Sequence, residues 1–271
     1  MAKSGGSRGA AVVTGASGGI GEELARLFAA DGYTLVLVAR GREGLERVGA
    51  AAKAQHGADF LSVPADLADP AAPDAVFRAV REAGLEVSAL VNNAGFGLHG
   101  AFAAVEGKPS NDLRRELDMI QVNITALTHL TKLFLPEMVA RRRGRVLNVA
   151  STAAFQPGPF MAVYYATKAY VLSFSEAVAM ELKGTGVTVT TLCPGPTRTE
   201  FQEQAGMEAT RLFRSPLVMD APAVARAGYR AMQRGKRVVV SGAFNKVLAA
   251  GTRLVPRALS ARIAELAHAE A

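Results

Sequence analysis

Short runs rich in Val, Leu and Thr recur along the chain at 10–14, 34–39, 59–63, 88–92, 145–150, 187–193 and 237–241. Between them lie longer segments with apolar residues at helical spacing, among them 22–30, 45–55, 75–83, 113–140, 161–183 and 223–233. The short runs are apolar throughout rather than alternating, so both of their faces need cover, as in a parallel sheet with helices on each side. Strand and helix taking turns is the pattern of parallel strands joined by helical crossovers. The expected fold is therefore α/β, a doubly wound parallel sheet of about seven strands. No repeat or Pro/Ser-rich linker divides residues 1–271, which read as one unit with 242–271 a C-terminal helical extension that Pro256 should split in two.

Open sheets of this kind bind ligands beyond the carboxyl ends of their strands. The first strand runs into Thr14-Gly15-Ala16-Ser17-Gly18-Gly19-Ile20-Gly21 and then an apolar helix. Glycines let the backbone turn tightly and approach a pyrophosphate, and a helix N-terminus offers unpaired N–H groups and a partial positive charge. The spacing is Gly-x-x-x-Gly-x-Gly, so the commoner Gly-x-Gly-x-x-Gly fingerprint is matched in place but not letter for letter. About 20 residues on, where an acid would bind the ribose 2′-hydroxyl of NAD, stand Ala39 and Arg40. A guanidinium there pairs with a 2′-phosphate, so NADP(H) is expected to be preferred over NAD(H), with Arg42 assisting. Asp66-Leu67 and Asn92-Asn93-Ala94-Gly95 follow the third and fourth strands. Asp66 either accepts from an adenine amino group or caps a turn; Asn93, Ala94 and Gly95 either lie along the adenosine ribose or simply turn the chain.

With 49% hydrophobic and 20% charged residues the chain reads as globular rather than disordered. No apolar run approaches the length of a membrane span and no signal-like core opens it, so a cytoplasmic location is expected. The net charge of +7 is concentrated nowhere except Arg141-Arg142-Arg143-Gly144-Arg145, at an expected helix end and without interleaved aromatics; nucleic acid is not an expected partner. The lone Cys193 reads as strand-end filler, and the scattered histidines (His56, His99, His129, His268) have no metal-ligand spacing, so no metal is expected.

The fifth strand ends at Ser151, and Tyr164 and Lys168 follow four residues apart, on one face of a helix. A cation beside a phenol favours the phenolate and draws its pKa of about 10 towards the working range, making Tyr164 an acid or base. Together with Thr14–Gly21, Asp66-Leu67, Asn92–Gly95, Asn123 and Pro194-Gly195, these residues make the chain resemble the short-chain dehydrogenase/reductase family, with its Rossmann-type fold, over nearly the whole length. The resemblance implies that Tyr164 is the general acid or base, that Ser151 hydrogen-bonds the substrate oxygen, and that Lys168 binds the nicotinamide ribose and lowers the tyrosine pKa. It implies that Asn123 holds a water of the proton path. Pro194-Gly195-Pro196-Thr197-Arg198-Thr199 would run beside the nicotinamide carboxamide. Gly18 departs from the pattern, since many NADP-preferring members carry a basic residue there, which leaves phosphate recognition chiefly to Arg40. The implied function is hydride transfer between NADP(H) and a carbonyl or secondary alcohol, and the alternative is a dinucleotide-binding sensor.

Loops after the strands supply Phe96, Leu98, His99, Phe102, Phe155, Phe160, Phe201, Met207, Leu212 and Phe213, so a small hydrophobic substrate is expected, acyl, steroid-like or polyketide-like. Tyr165 breaks the spacing to Lys168 and is assigned to packing. The extension carries Phe244, Val247, Leu248, Leu254, Val255, Leu259, Ile263 and Leu266 among Lys246, Arg253, Arg257 and Arg262. That pattern fits helices closing a site, a subunit interface, or peripheral contact with a membrane. The resemblance also implies a homodimer or homotetramer.

Overall fold

The β-branched runs do form strands. The computed structural model describes residues 8–104, 106, 110–207, 210, 218–252 and 255–268. Its strands are β1 (Ala10–Thr14), β2 (Thr34–Ala39), β3 (Phe60–Pro64), β4 (Val87–Asn92), β5 (Gly144–Val149), β6 (Val187–Cys193), β7 (Thr197–Arg198), β8 (Met219–Asp220) and β9 (Val238–Val240). A parallel sheet of seven takes the order β3-β2-β1-β4-β5-β6-β9, and β7 pairs with β8 apart from it. Strand order reverses beside β1, so the crevice between β1 and β4 is the place for a ligand.

The helices are α1 (Gly19–Ala30), α2 (Arg42–His56), α3 (Ala72–Glu82), α4 (Leu113–Ile120), α5 (Leu127–Ala140), α6 (Ala162–Glu181), α7 (Phe201–Gln204), α8 (Ala221–Gln233), α9 (Ala243–Gly251) and α10 (Arg257–His268). Alternate residues of β1 feed two cores: Ala11 and Val13 pack with α1, α2 and α8, and Ala10 and Val12 with α3 and α5. On the first face Phe28 meets Tyr33 and Tyr229 edge-on, at centroid distances of 5.1 and 4.9 Å. Pro256 does separate α9 from α10. Among the described residues no helix is long and apolar enough to cross a membrane.

The single helix expected over 113–140 is three pieces, because a π-helical turn, Gln121–Ala126, separates α4 from α5. The wider turn is held by Asn123, whose side chain bonds both backbone groups of Phe96 (3.1 and 3.0 Å) and Thr167 Oγ1 (3.0 Å). The arginine run is also less idle than a solvated helix end. Arg141 donates to the Val87 carbonyl (2.8 Å) and Arg142 to that of Gly184 (2.9 Å), stapling neighbouring turns. Leu212, Phe213, Arg253 and Leu254 lie outside the described residues.

Candidate active site

At the end of β1 the backbone turns with Gly15 and Gly19 at positive φ (64° and 56°), and a Cβ on Gly21 would overlap the Gly15 carbonyl oxygen. Only glycine fits there. Thr14 Oγ1 accepts from the Asn93 and Ala94 amides (both 3.0 Å), and Asn93 Nδ2 donates to the carbonyls of Thr14 (2.9 Å) and Gly15 (3.1 Å). The Asn93–Gly95 segment thus braces the glycine turn. Arg47, from α2, braces its other side. It donates to the Ser17 carbonyl (2.8 Å) and pairs with Glu22 at 2.7 Å, holding that carboxyl below its ordinary range against its burial.

Of the residues expected to hold a dinucleotide, all but Gly21, Arg42 and Arg198 line one cavity of 1080 Å³, as do Ser151, Tyr164 and Lys168. That exceeds the roughly 300–1,000 Å³ of a single small-molecule pocket, and leaves room for two ligands. Arg40 is exposed at its edge, with no hydrogen bond or ion pair to its side chain among the described residues. Asp66 caps a turn, accepting from the Ala68 amide (3.0 Å), and still lines the cavity. Thr197 Oγ1 donates to the Gly195 carbonyl (2.9 Å), and Thr199 Oγ1 accepts from the Phe201 amide (3.2 Å), which leaves the Thr199 proton free to donate.

The candidate reacting groups come from two elements. Ser151 follows β5, where its Oγ caps a short 3-10 turn (Thr152–Phe155) by accepting from the Ala153 amide at 3.1 Å. Tyr164 and Lys168 lie on α6, with the Tyr164 phenol facing the Ser151 hydroxyl, which donates to the Pro194 carbonyl at 3.5 Å. Lys168 Nζ donates to the Val149 carbonyl (3.0 Å) and stands 5.7 Å from the Tyr164 ring centre. Gly95 threads between two of these groups, since a Cβ there would come within 2.8 Å of Asn123 Oδ1 and 3.4 Å of Lys168 Nζ.

The expectation that Lys168 draws the Tyr164 pKa down differs from the structure. Burial pushes the phenol up to about 12, and the opposing influence is the Ser151 hydroxyl rather than Lys168. Burial also pushes Lys168 down to about 8. Both shifts have one cause: the site is dry, and each charged form loses its water. Asn123 stands behind the cavity. Both of its side-chain N–H groups are committed to Phe96 and Thr167, so the side chain anchors α6 to the loop after β4 and does not line the cavity.

The expected substrate lining is redistributed. Phe96, Phe201 and Met207 line the cavity, whereas Leu98, His99, Phe102, Phe155 and Phe160 do not. Leu98 is core, Phe102 is 70% exposed, and Phe155 packs towards Leu127 and Val171. Tyr165 does pack, behind Gly158 and beside Tyr164, yet its edge reaches the cavity together with Gln156 and Met161.

A buried polar chain was not foreseen. Asn92 Nδ2 donates to Thr131 Oγ1 (3.0 Å) and Asn148 Oδ1 (2.9 Å), and Asn148 Nδ2 donates to Ser175 Oγ (2.8 Å). It ties β4, β5, α5 and α6 together behind the reacting groups. The one available signal was polar residues at the core-facing ends of apolar strands, Asn92 and Asn148.

A glycine turn at a strand–helix junction, a cradle of backbone amides and a Ser–Tyr–Lys cluster on the next sheet segment define a dinucleotide-binding oxidoreductase fold. Residues 9–209 match the model of the family described as short chain dehydrogenase, and the chain belongs to that family. It is 32% identical over 205 residues to the ketoacyl reductase HetN of Nostoc sp., covering 76% of this chain and 67% of that one. It is 35% identical over 187 residues to a very-long-chain 3-oxoacyl-CoA reductase of Anas platyrhynchos, covering 68% of this chain and 58% of that one. The chain thus spans about two thirds or less of these relatives. A short-chain dehydrogenase from Sphingobium yanoikuyae, solved in complex with NADPH, superposes with a TM-score of 0.77 at 32% identity, over 91% of this chain and 94% of that one.

Proposed function

We propose that the protein is an NADP(H)-preferring reductase of hydrophobic ketones, running in reverse as an alcohol dehydrogenase. The observation that carries this reading is the convergence of Ser151, Tyr164 and Lys168 on the cavity that the glycine turn opens into. The residues present fit a nicotinamide dinucleotide. The turn Gly15–Gly21 would hold the diphosphate, Arg40 the 2′-phosphate, Asp66, Leu67 and Asn93–Gly95 the adenosine, and Pro194, Gly195, Thr197 and Thr199 the nicotinamide end. A bound dihydronicotinamide supplies the hydride for the carbonyl carbon. Ser151 donates a hydrogen bond to the carbonyl oxygen, and Tyr164 gives it the proton that completes the alcohol. A phenol at about 12 is fully protonated at neutral pH, which suits the reductive direction. Lys168 keeps the ribose in place with the N–H groups it does not spend on Val149, and Asn123 positions the helix carrying both.

The preference for NADP(H) rests on Arg40 and on the absence of an acid at that strand end. We place the protein in the cytoplasm as a homodimer or homotetramer. Leu113, Leu117, Tyr170 and Met180 support an assembly face, being large apolar side chains left exposed on α4 and α6.

The test is loss of NADPH absorbance with a ladder of ketones, with NADH and Tyr164→Phe in parallel. Turnover that falls by about 10²–10⁴ in the variant, with dinucleotide affinity retained, is the expected result. Saturable NADPH binding without turnover of any carbonyl would favour a sensor.

A further inference from the structure

The cavity does not end at the reacting groups. Its far wall is built by α9 and α10, with Phe244, Val247, Leu248, Val255, Ile263 and Ala267 along it. Among the described residues of this wall none is charged, whereas Lys246, Arg257 and Arg262 of the same helices stand off it and exposed. A surface helix ordinarily turns its apolar stripe to the core. Here α9 buries Asn245 and Ala249 instead, and leaves Val247 69% and Leu248 52% exposed on the cavity side. On α10 Ser260 and Ala264 are buried while Ile263 is 54% exposed. The chain thus leaves bulky apolar side chains uncovered where they border a cavity leading to Ser151 and Tyr164.

We propose that this wall holds the hydrocarbon tail of the substrate, which makes the substrate a straight-chain acyl or alkyl ketone rather than a compact ring system. The inference rests on the reductase reading and specifies its substrate. Shape argues for a tail: α9 alone is about 13 Å long, and the apolar lining continues from it onto Val255, Ile263 and Ala267. Chemistry argues the same way, since an uncharged wall rich in apolar side chains offers a hydrocarbon up to about fourfold in affinity for each methylene it buries. Continuity favours this occupant over a second protein copy or a lipid surface, because Phe244, Val247, Leu248 and Ile263 border the same cavity as Ser151 and Tyr164, while Leu259 and Leu266 of α10 are exposed away from it.

The test compares kcat/KM for the N-acetylcysteamine thioesters of 3-oxobutyrate, 3-oxododecanoate and 3-oxohexadecanoate, with a decalone as ring comparator, in wild type, Val247→Asp and Ile263→Asp. Calorimetric binding of the 3-hydroxydodecanoyl thioester to the NADP⁺ complex is a readout independent of turnover. The wild type should favour the long chains, and each variant should collapse the long-to-short ratio by about tenfold or more and weaken calorimetric binding. Lys246→Glu, off the wall, should leave the ratio alone. Several results would overturn the inference while leaving the reductase reading intact: no dependence on chain length, preference for the decalone, or an equal loss on short and long substrates. So would sedimentation with anionic vesicles that Val247→Asp abolishes while the ratio stays fixed, which would assign the face to a lipid surface. If no substrate turns over, the reductase reading fails, and calorimetry still decides the wall: tail binding that Val247→Asp abolishes upholds it, and none refutes it.

Discussion

Lys168 is a buried cation whose folded pKa, about 8, lies below its ordinary value of 10.5. Between those values the unfolded chain binds the proton and the folded chain does not, so stability rises with pH across that window and is lowest below it. Lys168→Met removes the term. The variant should be more stable than wild type by roughly 1–3 kcal/mol at pH 7, the lost bond to Val149 taking part of the gain, and the margin should close as the pH approaches 10.5. Denaturant titrations across that range read it out; a pH-independent margin would mean that folding does not shift the Lys168 pKa. A second residue acts against the ligand. Glu200 begins α7 without capping it, and its carboxylate lies 3.7 Å from where a Cβ on Gly18 would be, directly over the diphosphate turn. Arg47, which it attracts, is already committed to Glu22 and Ser17. Glu200→Gln should therefore tighten NADPH and NADH binding alike, by about 3–10-fold at low salt and less as salt screens the repulsion. Fluorescence titration showing equal or weaker binding would remove Glu200 from this role. The spacing of Tyr164 and Lys168 was readable as one helix face, but their proton affinities were not, because those depend on how much water the rest of the chain excludes.

At the scale of elements, the helix α6 that carries Tyr164 and Lys168 is fixed from behind by the amide chain Asn92–Asn148–Ser175, which is wholly buried. Asn148→Leu should cost about 2–4 kcal/mol, since it removes one of two partners from each of the Asn92 amide and the Ser175 hydroxyl in a low-dielectric core, leaving Asn92 only Thr131 and Ser175 only the Val171 carbonyl. Chemical denaturation measures this, and a loss under about 1 kcal/mol would show the network to be dispensable. Strands and helices were legible because their apolar periods survive in the sequence. The π turn at Gln121–Ala126 was not, for its cause is a contact between Asn123, Phe96 and Thr167, far apart in the chain. Nor was the β7–β8 pair, two residues on each side, which is too short to show a period.

Over the whole molecule, a parallel sheet covered on both faces followed from the helical crossovers, whereas its order β3-β2-β1-β4-β5-β6-β9, and with it the place where the order reverses beside the cavity, became visible only in the structure. What lines the cavity was legible where backbone and chemistry dictate the residue, as at the glycine turn, and poorly legible where any bulky apolar side chain would do. That is why the loops' phenylalanines were divided between core, surface and site only once the structure was known. The reacting groups come from β5 and α6 in the middle of the sheet, whereas the α9–α10 wall follows the edge strand β9 and shares none of the amide chain. Changes in that wall can alter which substrate is accepted without disturbing proton or hydride transfer, so a lineage of such proteins can diversify in diet while its reaction stays the same.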